Sequence, residues 1–214
     1  MRRAASNTCV ACELVCEDSI RTLNADAQLA AHTRAGALHL SQSDADALAE
    51  VGFFFSAAGA KALEPTTARL ANSTAVVIKP HALAAGLAGK IIDAFLDEGF
   101  FVSAIESLAI DKIAAEEFFE VYKGVAPEYA GMIDTITAGP VIALEICGAD
   151  AVEKVRAFVG PFDPEIARHI RPRTLRARFG VDKLRNAVHA TDLPEDGVLE
   201  AEYLFQILKA AGPK

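Results

Sequence analysis

Thr74-Ala75-Val76-Val77-Ile78-Lys79-Pro80 is the stretch on which the fold turns. The run to Ile78 is short, apolar and largely β-branched, which reads as a strand, and Pro80 stops it because proline cannot donate to a ladder. Beyond it, Leu87, Ile91, Ile92, Phe95 and Leu96 recur near helical spacing, with Gly99 as the C-terminal stop. Phe100 to Ile110 reads as a second strand, its alternation clearest from Val102, Ala114 to Tyr122 as a helix, and Pro140 to Ile146 as a third strand. Asp150 can cap a helix holding Val152, Val155 and Phe158. An arginine-rich loop follows, then Asn186 to Ala190 as a fourth strand, and a last helix with Leu199, Tyr203, Leu204 and Ile207 on one side. The order βαβαβαβα predicts an α+β fold, a four-stranded antiparallel sheet with helices over one face.

Outward from that segment, the chain has 214 residues, 52% of them hydrophobic, enough for one domain with an extension. Its 29 acids against 21 Lys+Arg give a net charge of -8, which disfavours nucleic acid and anionic membrane as partners. No apolar run approaches the ~18–20 residues of a membrane span. Arg2 and Arg3 have no long apolar segment behind them, so no secretory signal is expected. Cys9, Cys12 and Cys16 cluster early and Cys147 stands alone. Cys9-x-x-Cys12 lacks the second pair of a zinc site, so all four read as free thiols in a reducing compartment. Residues 57–72, rich in Ala, Thr and Gly with Pro65, read as a linker between residues 1–56 and a domain over 73–208, with 209–214 as a tail.

Arg168, Arg171, Arg173, Arg176 and Arg178 place five guanidinium groups in eleven residues with no acid among them. The bland reading is a solvated basic loop; the functional one is phosphate recognition, since the planar fork pairs phosphate at two points. His189 follows in a small apolar strand, where a packed histidine is the ordinary case. Glu200, eleven residues on, is either an exposed helical carboxylate or the group that orients the imidazole. A histidine that accepts a phosphoryl group must be neutral at the attacking nitrogen, so its other nitrogen needs an acceptor.

Several motifs in register resemble the nucleoside diphosphate kinases. They are Lys79-Pro80 after the first strand, Gly86-Leu87-Ala88-Gly89-Lys90-Ile91-Ile92, Gly139-Pro140, Thr174-Leu175-Arg176, and Asn186-Ala187-Val188-His189. The resemblance implies the ferredoxin-like βαββαβ form of the sheet. Glu120 to Val125, Asp163 to His169 and Ala187 to Gly197 look like the second kinase domain of the seventh-type, multi-domain members associated with cilia, flagella and the centrosome. Residues 1–56 resemble the end of another such domain, with His39-Leu40-Ser41, Glu50 eleven residues after the histidine, and Phe53-Phe54-Phe55.

The family reaction is ping-pong transfer of a γ-phosphoryl group from a nucleoside triphosphate to a diphosphate, with Mg2+ on the phosphates. Carried over, His189 is the phosphoryl acceptor and Glu200 its partner. Lys79, Arg156 and Arg176 hold phosphates, Asn186 with Lys79 meets the ribose, and Thr191 keeps the hydroxyl of a usual serine. Phe119 replaces a tyrosine at the reacting phosphate. Glu128 replaces the aromatic that stacks on the base, Phe162 a phosphate-contacting threonine, and Leu184 a glycine. No protein metal ligands are expected. The resemblance therefore leaves two functions. The one it favours is a scaffold of the axonemal doublet microtubule, inside its lumen, contacting tubulin and other axonemal proteins with activity reduced or absent. The alternative is an active phosphotransferase working through His189. It implies a location in the cytoplasm and cytoskeleton of the cilium or flagellum.

Overall fold

The computed structural model describes residues 11–12, 18–56 and 66–208. Cys9, Cys16, residues 57–65 and the 209–214 tail lie outside the described residues. The chain divides into two compact units, Met1–Pro65 and Thr66–Lys214. In the first, α1 spans Ser19–Ala25, α2 Ala27–Arg34 and α3 Asp44–Phe55. Asp26 caps α2 by accepting from the N–H groups of Gln28 and Leu29, and Ser43 caps α3 by accepting from that of Asp46.

The second unit runs β1 Ser73–Ile78, α4 Pro80–Ala84, α5 Ala88–Asp97, β2 Phe101–Leu108, α6 Lys112–Phe118, α7 Tyr129–Ile136 and β3 Val141–Cys147. It continues with α8 Ala151–Val159, α9 Pro164–Ile170, α10 Leu175–Phe179, β4 Val188–Ala190 and α11 Gly197–Glu202, which runs on through a π turn to Ile207. The sheet order is β2-β3-β1-β4, antiparallel throughout, which is the ferredoxin-like arrangement. Between β2 and β3, where a βαββαβ pattern needs only a hairpin, α6 and α7 are inserted. Pro80 sits at the first turn of α4, where its missing N–H costs nothing.

β1 is buried along its whole length. Ala75 and Val77 pack against Phe118, Ile133, Ile136 and Phe205, while Val76 and Ile78 pack against Ile91, Phe95, Val155 and Leu175. Helices therefore cover both faces, against the expectation of one. A central strand that is apolar at every position, without alternation, has two faces to bury.

Four further expectations need correction. The arginine-rich stretch is two short helices, α9 capped by Asp163 and α10. The helix expected over Ala114 to Tyr122 ends at Phe118 and passes into a 3-10 turn at Glu120–Tyr122. The helix α7 was not anticipated, and Asn186 and Ala187 precede the fourth strand. On the last helix Ala201, Leu204 and Phe205, spaced i, i+3 and i+4 on one face, are buried while Leu199 and Ile207 are more than half exposed.

The expected linker also proves to be anchored where it is described. Glu145 is 0% exposed. Its carboxylate accepts from the backbone N–H of Arg69 and of Leu70, each at 2.7 Å, and from the hydroxyl of Ser103, which the bulge between Val102 and Ala104 frees from the ladder. Arg69 lies over the Phe101 ring at 4.4 Å. Burial pushes this carboxyl up, but the three hydrogen bonds outweigh it and hold it below its ordinary value. Its stabilising contribution is therefore present above the unfolded pKa and lost as pH falls through the lower folded one. Glu145→Ala is expected to lower unfolding free energy by about 3 kcal/mol, measured in urea, and to open residues 66–72 to protease. Stability equal to wild type would show the anchor to be idle.

Candidate functional site

The pairing of β4 with β1 sets Val77 opposite His189. The imidazole is 5% exposed and is flanked by the rings of Phe118 and Phe119 at 5.1 and 5.4 Å, both edge-on. His189 Nε2 lies 2.8 Å from Glu200 Oε2 on α11, and the Thr191 hydroxyl donates to the same oxygen at 2.9 Å. A carboxylate accepts only, so the neutral ring carries its proton on Nε2 and presents Nδ1 as the lone-pair nitrogen.

His189 opens onto a cleft of about 700 Å³ that Lys79, Phe119, Arg156 and Arg176 also line. Glu200 and Thr191 stand behind His189. The other expected residue, Asn186, is buried at Lys79, whose Nζ donates to its Oδ1 at 2.8 Å and to the Leu184 carbonyl at 3.0 Å. Asn186 in turn donates to the Phe162 carbonyl at 3.0 Å. Arg176 spends its guanidinium on carbonyls, those of Gly160 at 3.0 Å and Val188 at 3.2 Å. Burial lowers Arg176 to about 10, and burial followed by the nearby Arg176 charge lowers Lys79 to about 7.

Of the five clustered arginines, Arg171 and Arg176 line the cleft. Arg168 donates to the Gly180 carbonyl, and Arg173 and Arg178 are exposed. The sequence reading missed Tyr122 and Asp192, also on the wall. Tyr122 follows Phe119 by three residues, a spacing that puts both on one side of a helical turn, and Asp192 is next to Thr191. Those two adjacencies were the available signal.

Glu128, also on the cleft wall, precedes α7, and its carboxylate lies 3.7 Å from Lys183 Nζ, which is also 3.9 Å from Asp163. Leu184 lies against Gly131 of α7, so closely that a methyl group there would come within 2.7 Å of it.

The first unit repeats the histidine corner. His39 Nε2 lies 2.7 Å from Glu50 Oε1 and the Ser41 hydroxyl donates to Glu50 Oε2 at 2.7 Å, with the same eleven-residue separation. The His39 side chain, however, is 74% exposed.

A family model, nucleoside diphosphate kinase, matches residues 72–209. Among similar proteins, the nucleoside diphosphate kinase homolog 7 of Rattus norvegicus is 48% identical over 172 residues, 80% of this chain, and that of Mus musculus matches equally. The chain spans 43% of the length of each. The nucleoside diphosphate kinase of Aquifex aeolicus is 38% identical over 136 residues, 64% of this chain and 95% of its own. A crystal structure of the Aquifex aeolicus kinase superposes with a TM-score of 0.61 at 37% identity, covering 64% of this chain and 97% of that one. The kinase of Encephalitozoon cuniculi gives 0.58 at 25% identity, covering 67% and 93%.

The depressed Lys79 makes a signed prediction. Between about pH 7 and its unfolded value the native chain holds fewer protons than the unfolded one, so this group makes stability rise with pH, by at most about 1.4 kcal/mol per unit. In Lys79→Met that part of the rise disappears. Equal slopes in urea titrations of the two proteins would refute the burial of a strained charge.

Proposed function

The chain belongs to the nucleoside diphosphate kinase family, and on that premise we propose that it retains phosphotransfer chemistry at His189 while binding nucleotides weakly. The observation that carries this reading is the contrast between two parts of the cleft wall. At one, His189 keeps its Glu200 and Thr191 partners. At the other, where family members stack the base on an aromatic ring, Glu128 and Lys183 form an ion pair.

In this reading His189 Nδ1 attacks the γ-phosphorus. A nitrogen–phosphorus bond forms, the bond to the β-bridging oxygen breaks, and the nucleoside diphosphate leaves. A second diphosphate then takes the phosphoryl group. Glu200 holds the proton on Nε2 and stabilises the charge that develops on the ring. Lys79, Arg156 and Arg176 supply positive charge to the phosphates, and Asn186 fixes the Lys79 ammonium. The residues fit a magnesium ion that travels on the nucleotide. Among the described residues no group of three or more His, Cys, Asp or Glu could cage one, and a phosphate-bound magnesium keeps several waters. When bound, the ion neutralises phosphate charge.

Incubation with γ-labelled ATP and magnesium is expected to give slow, acid-labile labelling that vanishes in His189→Ala and slows at least about tenfold in Glu200→Gln. Undiminished labelling of His189→Ala would refute the assignment. Glu128→Phe restores a stacking face and is expected to lower KM for ADP about tenfold. No gain would place the binding defect elsewhere.

A second reading is compatible with the first, because a fold and its outer surface serve different ends. The wording shared with seventh-type members supports a role as a scaffold of the axonemal doublet microtubule, with tubulin and other axonemal proteins as partners. Residues 1–56 then derive from the end of a first kinase-like domain, a derivation supported by the repeated His39, Ser41 and Glu50 corner. The protein is expected to co-sediment with doublet microtubules stripped of endogenous protein, and failure to do so would remove this reading.

A further inference from the structure

Phe119 brings no hydroxyl to the cleft, but Tyr122 does. The 3-10 turn Glu120–Tyr122 carries the second ring round so that the two meet edge to face at 5.9 Å, both on the wall beside His189. The Tyr122 phenol donates to Asp192 Oδ2 at 2.5 Å, and Asp192 Oδ1 lies 3.4 Å from Arg156 Nε. One carboxylate thus takes an O–H through one oxygen and a guanidinium through the other, and both donors line the cleft. Two oxygens of a phosphate take the same donor pair, with the same preference for a charged fork.

We propose that Asp192 is an internal stand-in for a ligand phosphate, displaced when a phosphate-bearing ligand enters, and that Tyr122 then donates to that ligand beside Arg156. This rests on the nucleotide reading of the cleft. Two further observations support it. The Asp192 side chain is 48% exposed, so it can turn to water without burying a charge. Burial and the Asp192 carboxylate push the phenol well above its ordinary value, so Tyr122 stays protonated and serves as a donor. The lysine and the buried arginine of the cleft already spend donors on carbonyl oxygens. Tyr122 and Arg156 instead point theirs at a group that can leave.

The test is calorimetric titration of the intact protein with inorganic pyrophosphate. Asp192→Asn, which keeps an acceptor for the phenol, is expected to bind about tenfold more tightly than wild type, and Tyr122→Phe several-fold more weakly. In the double variant the gain should shrink, because a hydroxyl held only by a neutral amide passes to the ligand more readily than one held by a carboxylate, and that transfer is part of the gain. Glu153→Gln removes an equal charge from the same cleft wall, three residues from Arg156 on α8, and is expected to raise affinity by less than half as much as Asp192→Asn does. Should Asp192→Asn fail to fold, Asp192→Ser takes its place.

Wild-type binding with no gain in Asp192→Asn would overturn the stand-in role and leave the nucleotide reading intact. An equal gain in Glu153→Gln would reduce the effect to net charge and overturn it as well. Affinity unchanged in Tyr122→Phe would remove the phenol from the ligand's shell. If neither wild type nor Asp192→Asn binds pyrophosphate, this inference and the reading beneath it both fall.

Discussion

The central strand β1 is hydrogen-bonded along both edges and buried on both faces, and its register and its end place His189 and Lys79 in the cleft. Its register against β4 puts His189 opposite Val77. Two residues later the strand must stop, because Pro80 has no N–H to give. Lys79 is therefore the last extended residue, buried at the sheet's edge with its ammonium turned toward Leu184 and Asn186. A strand less apolar than Ala75-Val76-Val77-Ile78 would not hold that lysine in place against the cost of its own burial.

That cost is visible in how the cations are satisfied. Lys79 and Arg176 are both depressed by burial, and the protein compensates with carbonyl oxygens and one amide rather than with carboxylates. Neutral acceptors leave the net charge of the floor positive, which suits an anionic ligand. Elsewhere on the cleft wall the arrangement changes, with Asp192 on Arg156 and Glu128 on Lys183. An anion entering this cleft meets cations held by neutral oxygens beside cations already paired with acids.

The sequence made much of this legible because the signals were local. The run from Thr74 to Pro80 located the central strand, and the resemblance to the kinases implied a contact between His189 and Glu200 that β4, the turn after it and α11 deliver. The two-faced burial was harder to read, since a fully apolar strand does not say how many layers cover it. Tyr129–Ile136 carries Met132, Ile133 and Ile136 to the core at helical spacing, but Pro127 before it and Gly131 within it resemble a loop. Tyr122 and Asp192 lie seventy residues apart, and nothing in either neighbourhood points to the other. Glu145 illustrates the same limit. A lone acid in an apolar strand reads as an exposed position, and its partners are backbone N–H groups that carry no sequence signature.

Of the four departures from the family pattern, Phe119 and Glu128 come from the insertion between β2 and β3, and Phe162 and Leu184 from later segments. Tyr122 stands on the same insertion. The histidine corner is built from β4, Thr191 and α11, and β1 seats it through its pairing with β4. In the first unit His39, Ser41 and Glu50 reproduce the corner's hydrogen bonds on an exposed ring, where no helix residue of that unit is buried. A histidine held by a glutamate eleven residues on thus forms even where the histidine lies outside any strand, and its presence certifies geometry rather than turnover. What separates His189 from His39 is long-range. It is the burial that fixes the ring between Phe118 and Phe119, and the cations that distant segments bring to it.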